Sequence, residues 1–199
     1  MKRRFVFATG NRHKLEEARA ILGGRVEIVS PADLGYAGDI PEEQETLEGN
    51  ALQKARHVHG LFGADCFADD TGLEVAALGN APGVRSARYA GESRDPLANT
   101  RKVLRLMEGV TRREARFRCV IALILDGKEY LFEGIVEGEI LERPAGDGGF
   151  GYDPVFRPRG HEESFALMPA SLKNEISHRG RALRALERFL CREEERWRS

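Results

Sequence analysis

The chain has 199 residues, 41% of them hydrophobic, three cysteines and a formal net charge of −1. This is enough apolar material for one sizeable core, held in one domain or in one domain of two lobes. The charge balance gives no general reason to expect DNA, RNA or an anionic membrane as a partner, and Cys66, Cys119 and Cys191 stand far apart without a CxxC pair or neighbouring histidines.

Cys66 and Cys119 therefore read as buried strand residues of a protein kept in a reducing compartment, and a cytoplasmic location is expected. Lys2, Arg3 and Arg4 imitate the start of a signal peptide, but only Phe5 to Ala8 follow before a polar turn, too short for its apolar region. No run approaches the roughly 18 apolar residues of a membrane span. Repeats and low-complexity tracts are absent, which argues against separate modules.

In chain order, a strand over Arg4 to Ala8 meets the turn Thr9-Gly10-Asn11, and a helix follows over Arg12 to Leu22 with apolar residues at Leu15, Ala18, Ile21 and Leu22. Strand, glycine turn and helix make an anion cradle, because the first N–H groups and the positive dipole end of the helix face whatever sits at the turn. Lys14 would add a full charge, and Thr9 and Asn11 would add donors. The same pattern also suits an ordinary strand-to-helix connection, and no Walker loop is present.

A strand at Glu27 to Ser30 precedes an acidic stretch, Ile40 to Asn50, that opens a helix over Gly49 to Gly63. Glu45 and Glu48 there complement the helix dipole, while one upstream carboxylate could join a second acid on a hard cation. Next, Cys66 to Ala68 end a short strand, and Asp69-Asp70-Thr71-Gly72 follow as a turn. Neighbouring strand residues face opposite sides, so only one of the two aspartates can face a given cleft. The run fits either a metal or acid/base site or a solvated turn with an Asx hydrogen bond.

A helix over Pro96 to Met107 leads to two long strands, Ala115 to Leu125 and Lys128 to Glu139, joined by Asp126-Gly127 as a hairpin. The glycine-rich run from Pro144 to Phe156 carries Phe150, Gly151, Tyr152 and Asp153. It reads either as a loop that brings ring faces to a planar ligand, with Asp153 accepting from a ring N–H, or as a turn whose aromatics plug the core. A short strand near Pro154 to Phe156 follows. Ser171 to Leu183, with Lys173, His178 and Arg179, leads into a helix over Gly180 to Cys191, and Arg192 to Arg196 read as its solvated end. Parallel α/β units plus a long hairpin predict a mixed sheet.

Taken together, TGNxxK, ExxxTxxxNAxxKA, ADDTGLEVxAL with APGVxSARYAG, GGFGYDPxF and KNxISHRGxAL resemble, in order and spacing, the inosine triphosphate pyrophosphatase family of house-cleaning nucleotide hydrolases. The resemblance runs from Phe5 to about Leu186. It implies a single α/β catalytic domain over residues 1–199, with an elongated central mixed sheet flanked by helices in two lobes, an active-site cleft between them, and a homodimer. The implied reaction is hydrolysis of ITP, dITP and XTP to the nucleoside monophosphate and pyrophosphate, by water attack on the α-phosphorus with Mg2+, or alternatively Mn2+, as cofactor.

Position by position, the resemblance assigns Thr9, Gly10, Asn11 and Lys14 to the triphosphate. Glu42 and Asp70 become metal ligands, Asp70 also the proton acceptor, and Asp69 either its support or itself a polariser of water. Thr71 lies beside the substrate, Phe150, Gly151, Tyr152 and Asp153 hold the base, and Lys173, His178 and Arg179 close on purine and phosphates. This chain departs from the usual pattern at Glu43-Gln44-Glu45, Gly49 and Phe165 to Leu172, which bears on whether Glu42 or Glu45 reaches the metal. Two rivals are a Maf-like relative with another base preference and a nucleotide sensor without turnover; the carboxylates favour an enzyme, since simple purine binding does not need them.

Overall fold

The computed structural model describes residues 2–198, with side chains described as far as Glu193. In chain order the elements are β1 (Arg4–Phe7), α1 (Arg12–Leu22), β2 (Glu27–Val29), α2 (Leu47–Phe62), β3 (Cys66–Val75), β4 (Pro82–Gly83) and α3 (Pro96–Leu106). They continue with β5 (Glu114–Leu125), β6 (Lys128–Ile140), β7 (Phe156–Pro158), α4 (Ala170–Ile176) and α5 (His178–Arg198). The strands form one mixed sheet in the order β2-β1-β3-β5-β6-β7, with β4 added to β3. β1 runs parallel to β2 and β3, whereas β3/β4 and β6/β7 are antiparallel.

The chain divides into two compact units. The first holds the residues up to Asp70, Cys119–Gly134 and the chain from Arg179 onward; the second holds Thr71–Arg118 and Ile135–His178.

In the first unit, Phe5, Phe7 and Phe67 pack with Leu22, Ile121, Leu123, Leu183 and Leu186. The Phe7 and Phe67 rings stack at 4.4 Å, on residues that are also register partners of β1 and β3. From Cys119 to Leu125, β5 is buried at every position, the pattern of a strand covered on both faces. The β5–β6 turn places Asp126 at φ 49° and Gly127 at φ 74°, the positive pair that a two-residue hairpin of the twist-matched type needs. Thr46 caps α2 by accepting from the Gly49 N–H, and Gly63 closes the helix in the left-handed conformation.

In the second unit, Leu73, Val75, Val103, Phe117, Ile140, Phe156 and Phe165 form the core. Here β5 alternates, with Ala115 and Phe117 buried. Arg116 and Arg118 on the other face are paired with Glu74.

The expected elements are present, with β3 and β7 shifted and β4 and α4 additional: the strand expected near Pro154 to Phe156 starts only at Phe156, because Asp153–Val155 form a 3-10 turn. β3 does not end at Ala68: it runs through Asp69-Asp70-Thr71-Gly72 to Val75. The turn read into this run belongs to its neighbour, because β1 stops at Phe7 while β3 continues and pairs with β4 from Leu73. Gly72 is there for close approach: a Cβ at this position would lie 2.7 Å from the Gly83 carbonyl oxygen. The short helix α4 is not expected from the sequence pattern: its polar sequence lacks a long apolar stripe, and it is held by Leu172 and Ile176 against the second core. α5 begins at His178 rather than Gly180, and of the tail expected to be solvated, residues 194–196 lie outside the described side chains.

Candidate active site

In the first unit, the loop after β1 and the central part of β3 bring charged groups together. Thr9 Oγ1 accepts from the Asn11 N–H at 3.1 Å, and Asn11 caps α1 by accepting from the Lys14 N–H. The resulting loop is open: a Cβ added at Gly10 meets nothing within 4 Å. One turn into α1, Lys14 Nζ donates to Asp69 Oδ1 at 2.9 Å.

Asp69 is 1% exposed. Its other oxygen accepts from Arg179 Nε at 2.9 Å, and Arg179 in turn donates through Nη1 to Glu17 at 2.7 Å. Burial alone would raise the Asp69 pKa, but Lys14, Arg179 and Lys54 outweigh it and hold the carboxyl well below the usual carboxylate range.

Asp70 faces the opposite way, as strand alternation requires, and has different neighbours. Its Oδ2 accepts from Asn50 Nδ2 at 3.0 Å, and Oδ1 lies 3.5 Å from Lys54 Nζ. Burial, only partly offset by Lys54 and Lys14, raises its pKa. Adjacent aspartates thus carry opposite shifts, because their neighbours differ.

Lys54 also donates to Glu42 Oε1 at 2.6 Å, so a single ammonium joins Glu42 to Asp70. Burial would lower the Lys54 pKa, yet Asp70, Glu42 and Asp69 raise it, and the side chain is charged. Asn50 holds the same grouping from one turn earlier, because its carbonyl accepts from the Gln44 N–H at 2.8 Å while its amide serves Asp70. Glu42 and Asp70 are the carboxylates here that could hold a hard cation such as Mg2+, which takes one or two carboxylates and completes its shell with phosphate oxygens and water. Among the described residues, no group of three or more His, Cys, Asp or Glu could hold a metal on protein ligands alone.

In the second unit, Asp153 is the pivot. Its Oδ2 accepts from the Phe150 N–H at 2.7 Å and from Lys173 Nζ at 2.8 Å. The same ammonium lies 4.7 Å from the centre of the Phe150 ring. Gly149, at φ 68°, is obligatory, since a Cβ there would sit 2.3 Å from Asp153 Oδ2. Tyr152 is buried and donates to the Ser86 carbonyl at 2.7 Å, so it plugs the core while Phe150 remains half-buried. His178 stacks on Phe117 at 4.5 Å and is buried. Thr71, the next residue of β3 after Asp70, is half-buried, and Gly151 adopts φ 63°.

Of the candidates named from sequence, the structure places Thr9, Gly10, Asn11, Lys14, Glu42, Asp69, Asp70 and Arg179 in the first unit and the others in the second. Asn50, Lys54 and Glu17, which join the charged group of the first unit, are not among those candidates. For the first two a signal existed: they occupy the stripe Leu47, Asn50, Ala51, Lys54, Ala55, Val58, the buried face of α2. Polar residues set in an apolar helical stripe must have partners.

Comparison with known proteins gives a consistent answer. Residues 5–189 match the model of the Ham1 family. A protein of Porphyromonas gingivalis named dITP/XTP pyrophosphatase is 55% identical over 188 residues, 94% of this chain and 97% of that protein. One of the same name from Flavobacterium johnsoniae is 47% identical over 92% of this chain and 95% of its own. Among solved structures, a HAM1 protein from Coxiella burnetii superposes with a TM-score of 0.87 at 38% identity, covering 96% of this chain and 99% of that one. A nucleoside-triphosphatase, dITP/XTP pyrophosphatase, from Mycobacterium abscessus gives 0.74 at 42% identity, over 92% and 98%.

Proposed function

The chain belongs to the Ham1 family, and from that we propose how its residues act as a nucleoside triphosphate pyrophosphatase. It hydrolyses non-standard purine nucleoside triphosphates, dITP, XTP and ITP, to the monophosphate and pyrophosphate, removing them from the nucleotide pool.

The observation that carries the mechanism is the division between Asp69 and Asp70. Asp69, locked between Lys14 and Arg179, is a fixed anion that positions those cations. Asp70, with its pKa raised and Glu42 close by through Lys54, is the proton acceptor. Water attacks the α-phosphorus, Asp70 takes its proton, and the bond from the α-phosphorus to the bridging oxygen breaks as pyrophosphate leaves. Glu42 and Asp70 would hold the divalent cation, Mg2+ or alternatively Mn2+, which when bound supplies Lewis acidity and orients phosphate oxygens. Thr9, Gly10, Asn11 and Lys14 receive the triphosphate at the start of α1, where N–H donors and a lysine favour anions.

The base is read by residues of the second unit. Phe150 offers a ring face, Gly151 gives the loop its positive-φ turn, and Tyr152 and Asp153 hold that loop in place, Asp153 by fixing Lys173. Lys173 and His178 are buried and supply donors suited to the C6 oxo group of hypoxanthine and xanthine. Adenine presents a donor at C6, which would leave buried donors unpaired, a strong basis for rejection. Thr71 lies beside the substrate, and Arg179 assists through Asp69. The enzyme works in the cytoplasm as a homodimer.

Release of pyrophosphate and monophosphate from ITP, XTP, dITP, GTP and ATP with Mg2+, for wild type and Asp70→Asn, tests this reading. Turnover of the first three, little of GTP or ATP, and its loss in the variant are expected. Undiminished turnover by Asp70→Asn would refute the assignment of the proton acceptor.

A further inference from the structure

Lys54 is the least expected member of the first unit's charged group. Its side chain is 5% exposed, and it is placed between two carboxylates that a divalent cation would use, 2.6 Å from Glu42 Oε1 and 3.5 Å from Asp70 Oδ1. Burying an ammonium is costly unless it is paired, and holding half-buried Glu42 beside buried Asp70 without a cation is unfavourable too. Each therefore compensates the other. Asn50 fixes the arrangement from the same helix face, bonding Asp70 with one end of its amide and the Gln44 backbone with the other.

We propose that Lys54 is an internal stand-in for the divalent cation: its ammonium neutralises Glu42 and Asp70 in the nucleotide-free protein and competes with the metal for them. The inference rests on the reading of Glu42 and Asp70 as the metal carboxylates. The physical argument is one of charge. A divalent ion approaching this pair meets an ammonium already in contact with both acids, and at such distances in a partly desolvated site the repulsion is strong. Without its triphosphate the enzyme therefore holds metal weakly. The carboxylates stay together without it, and the ion arrives favourably only with the negative charge of the substrate. Lys54 is a positioning residue in this scheme, and its effect is read in metal binding and not only in turnover.

The test is direct titration of the full chain with Mn2+ in the absence of nucleotide, followed by the EPR signal of free Mn2+, for wild type, Lys54→Met, Glu42→Gln and the double variant. Thermal melts in chelator and in Mn2+ run alongside. Lys54→Met should bind Mn2+ at least tenfold tighter than wild type, lose stability in chelator, and regain it with Mn2+; adding Glu42→Gln should abolish the tight binding. If Lys54→Met does not fold, Lys54→Gln is titrated against the same criterion. Should the Lys54 variant bind Mn2+ no tighter than wild type while Glu42→Gln still weakens binding, the stand-in role is overturned and the metal carboxylates stand. Should Glu42→Gln leave Mn2+ binding unchanged in both backgrounds, the ion sits elsewhere, and the metal reading falls together with the inference.

Discussion

At the scale of single residues, Asp69 and Asp70 differ in what the fold does to their charge. The folded state favours ionised Asp69 and disfavours ionised Asp70. The same chemical change should then have very unequal consequences. Asp69→Asn leaves Lys14 and the buried Arg179 without their shared anion, and chemical denaturation should register a loss of about 3–5 kcal/mol, the range for breaking a buried pair. Asp70→Asn removes a charge that burial disfavours and keeps an acceptor toward Asn50, so it should change stability by no more than about 1 kcal/mol, a single hydrogen bond's worth, while lowering kcat by about 10²–10⁴-fold, as removal of a general base does. The pH dependence follows with its sign. A carboxylate whose folded pKa is depressed contributes stability that is fully present above the unfolded value, about pH 4, and is lost as the pH falls toward the lower folded value. Wild type should lose stability over that acidic window, and Asp69→Asn should show a shallower loss in denaturation midpoints taken between neutral and strongly acidic pH.

At the scale of elements, β3 and α2 were legible to different degrees. The start of α2 could be approached from Thr46 and the acidic residues before it, and Thr46 is its cap. Thr46→Ala should cost about 1 kcal/mol, measured by urea denaturation. The sequence pattern ends β3 too early, at Ala68, because an Asp-Asp-Thr-Gly run has the composition of a turn and its actual role depends on partners distant in sequence. Gly72 illustrates this. It suggested a turn, yet it is required by the backbone of Gly83, which would contact an added methyl group directly. Gly72→Ala should therefore destabilise by about 1–3 kcal/mol, the cost of overpacking, whereas a turn glycine at ordinary negative φ would tolerate alanine. The Gly149–Asp153–Lys173 arrangement was also invisible as such: the sequence displayed glycine, acid and lysine, but not that one aspartate oxygen binds both a loop N–H and an ammonium.

At the scale of the molecule, the residues proposed for phosphate and metal belong to the first unit, except for Thr71, and those proposed for the base belong to the second. Each has its own apolar core. Cys66 and Cys119 lie fully buried in the first, while Cys191 is half-buried on α5. Burial pushes the Cys66 thiol up to about 12, so its thiolate is scarce near neutrality. Titration of the native protein with a thiol reagent at mildly alkaline pH should show Cys191 reacting first and the other two only on unfolding; rapid reaction of all three would mean that the first core opens readily. No helix among the described residues is long and apolar enough to cross a membrane.

The sequence by itself determined the family, the alternation of strands and helices, the hairpin at Asp126-Gly127 and the identities of most charged candidates. These are carried by local periodicity, turn chemistry and ordered motifs, all properties of residues near one another in the chain. Only the tertiary structure decided that Asp69 is held between Lys14 and Arg179 while burial raises the pKa of Asp70, that Lys54 joins Glu42 to Asp70, and that Tyr152 belongs to the core. Burial and charge pairing set those properties, and they arise between residues as far apart in sequence as Asp69 and Arg179, where no local pattern can record them.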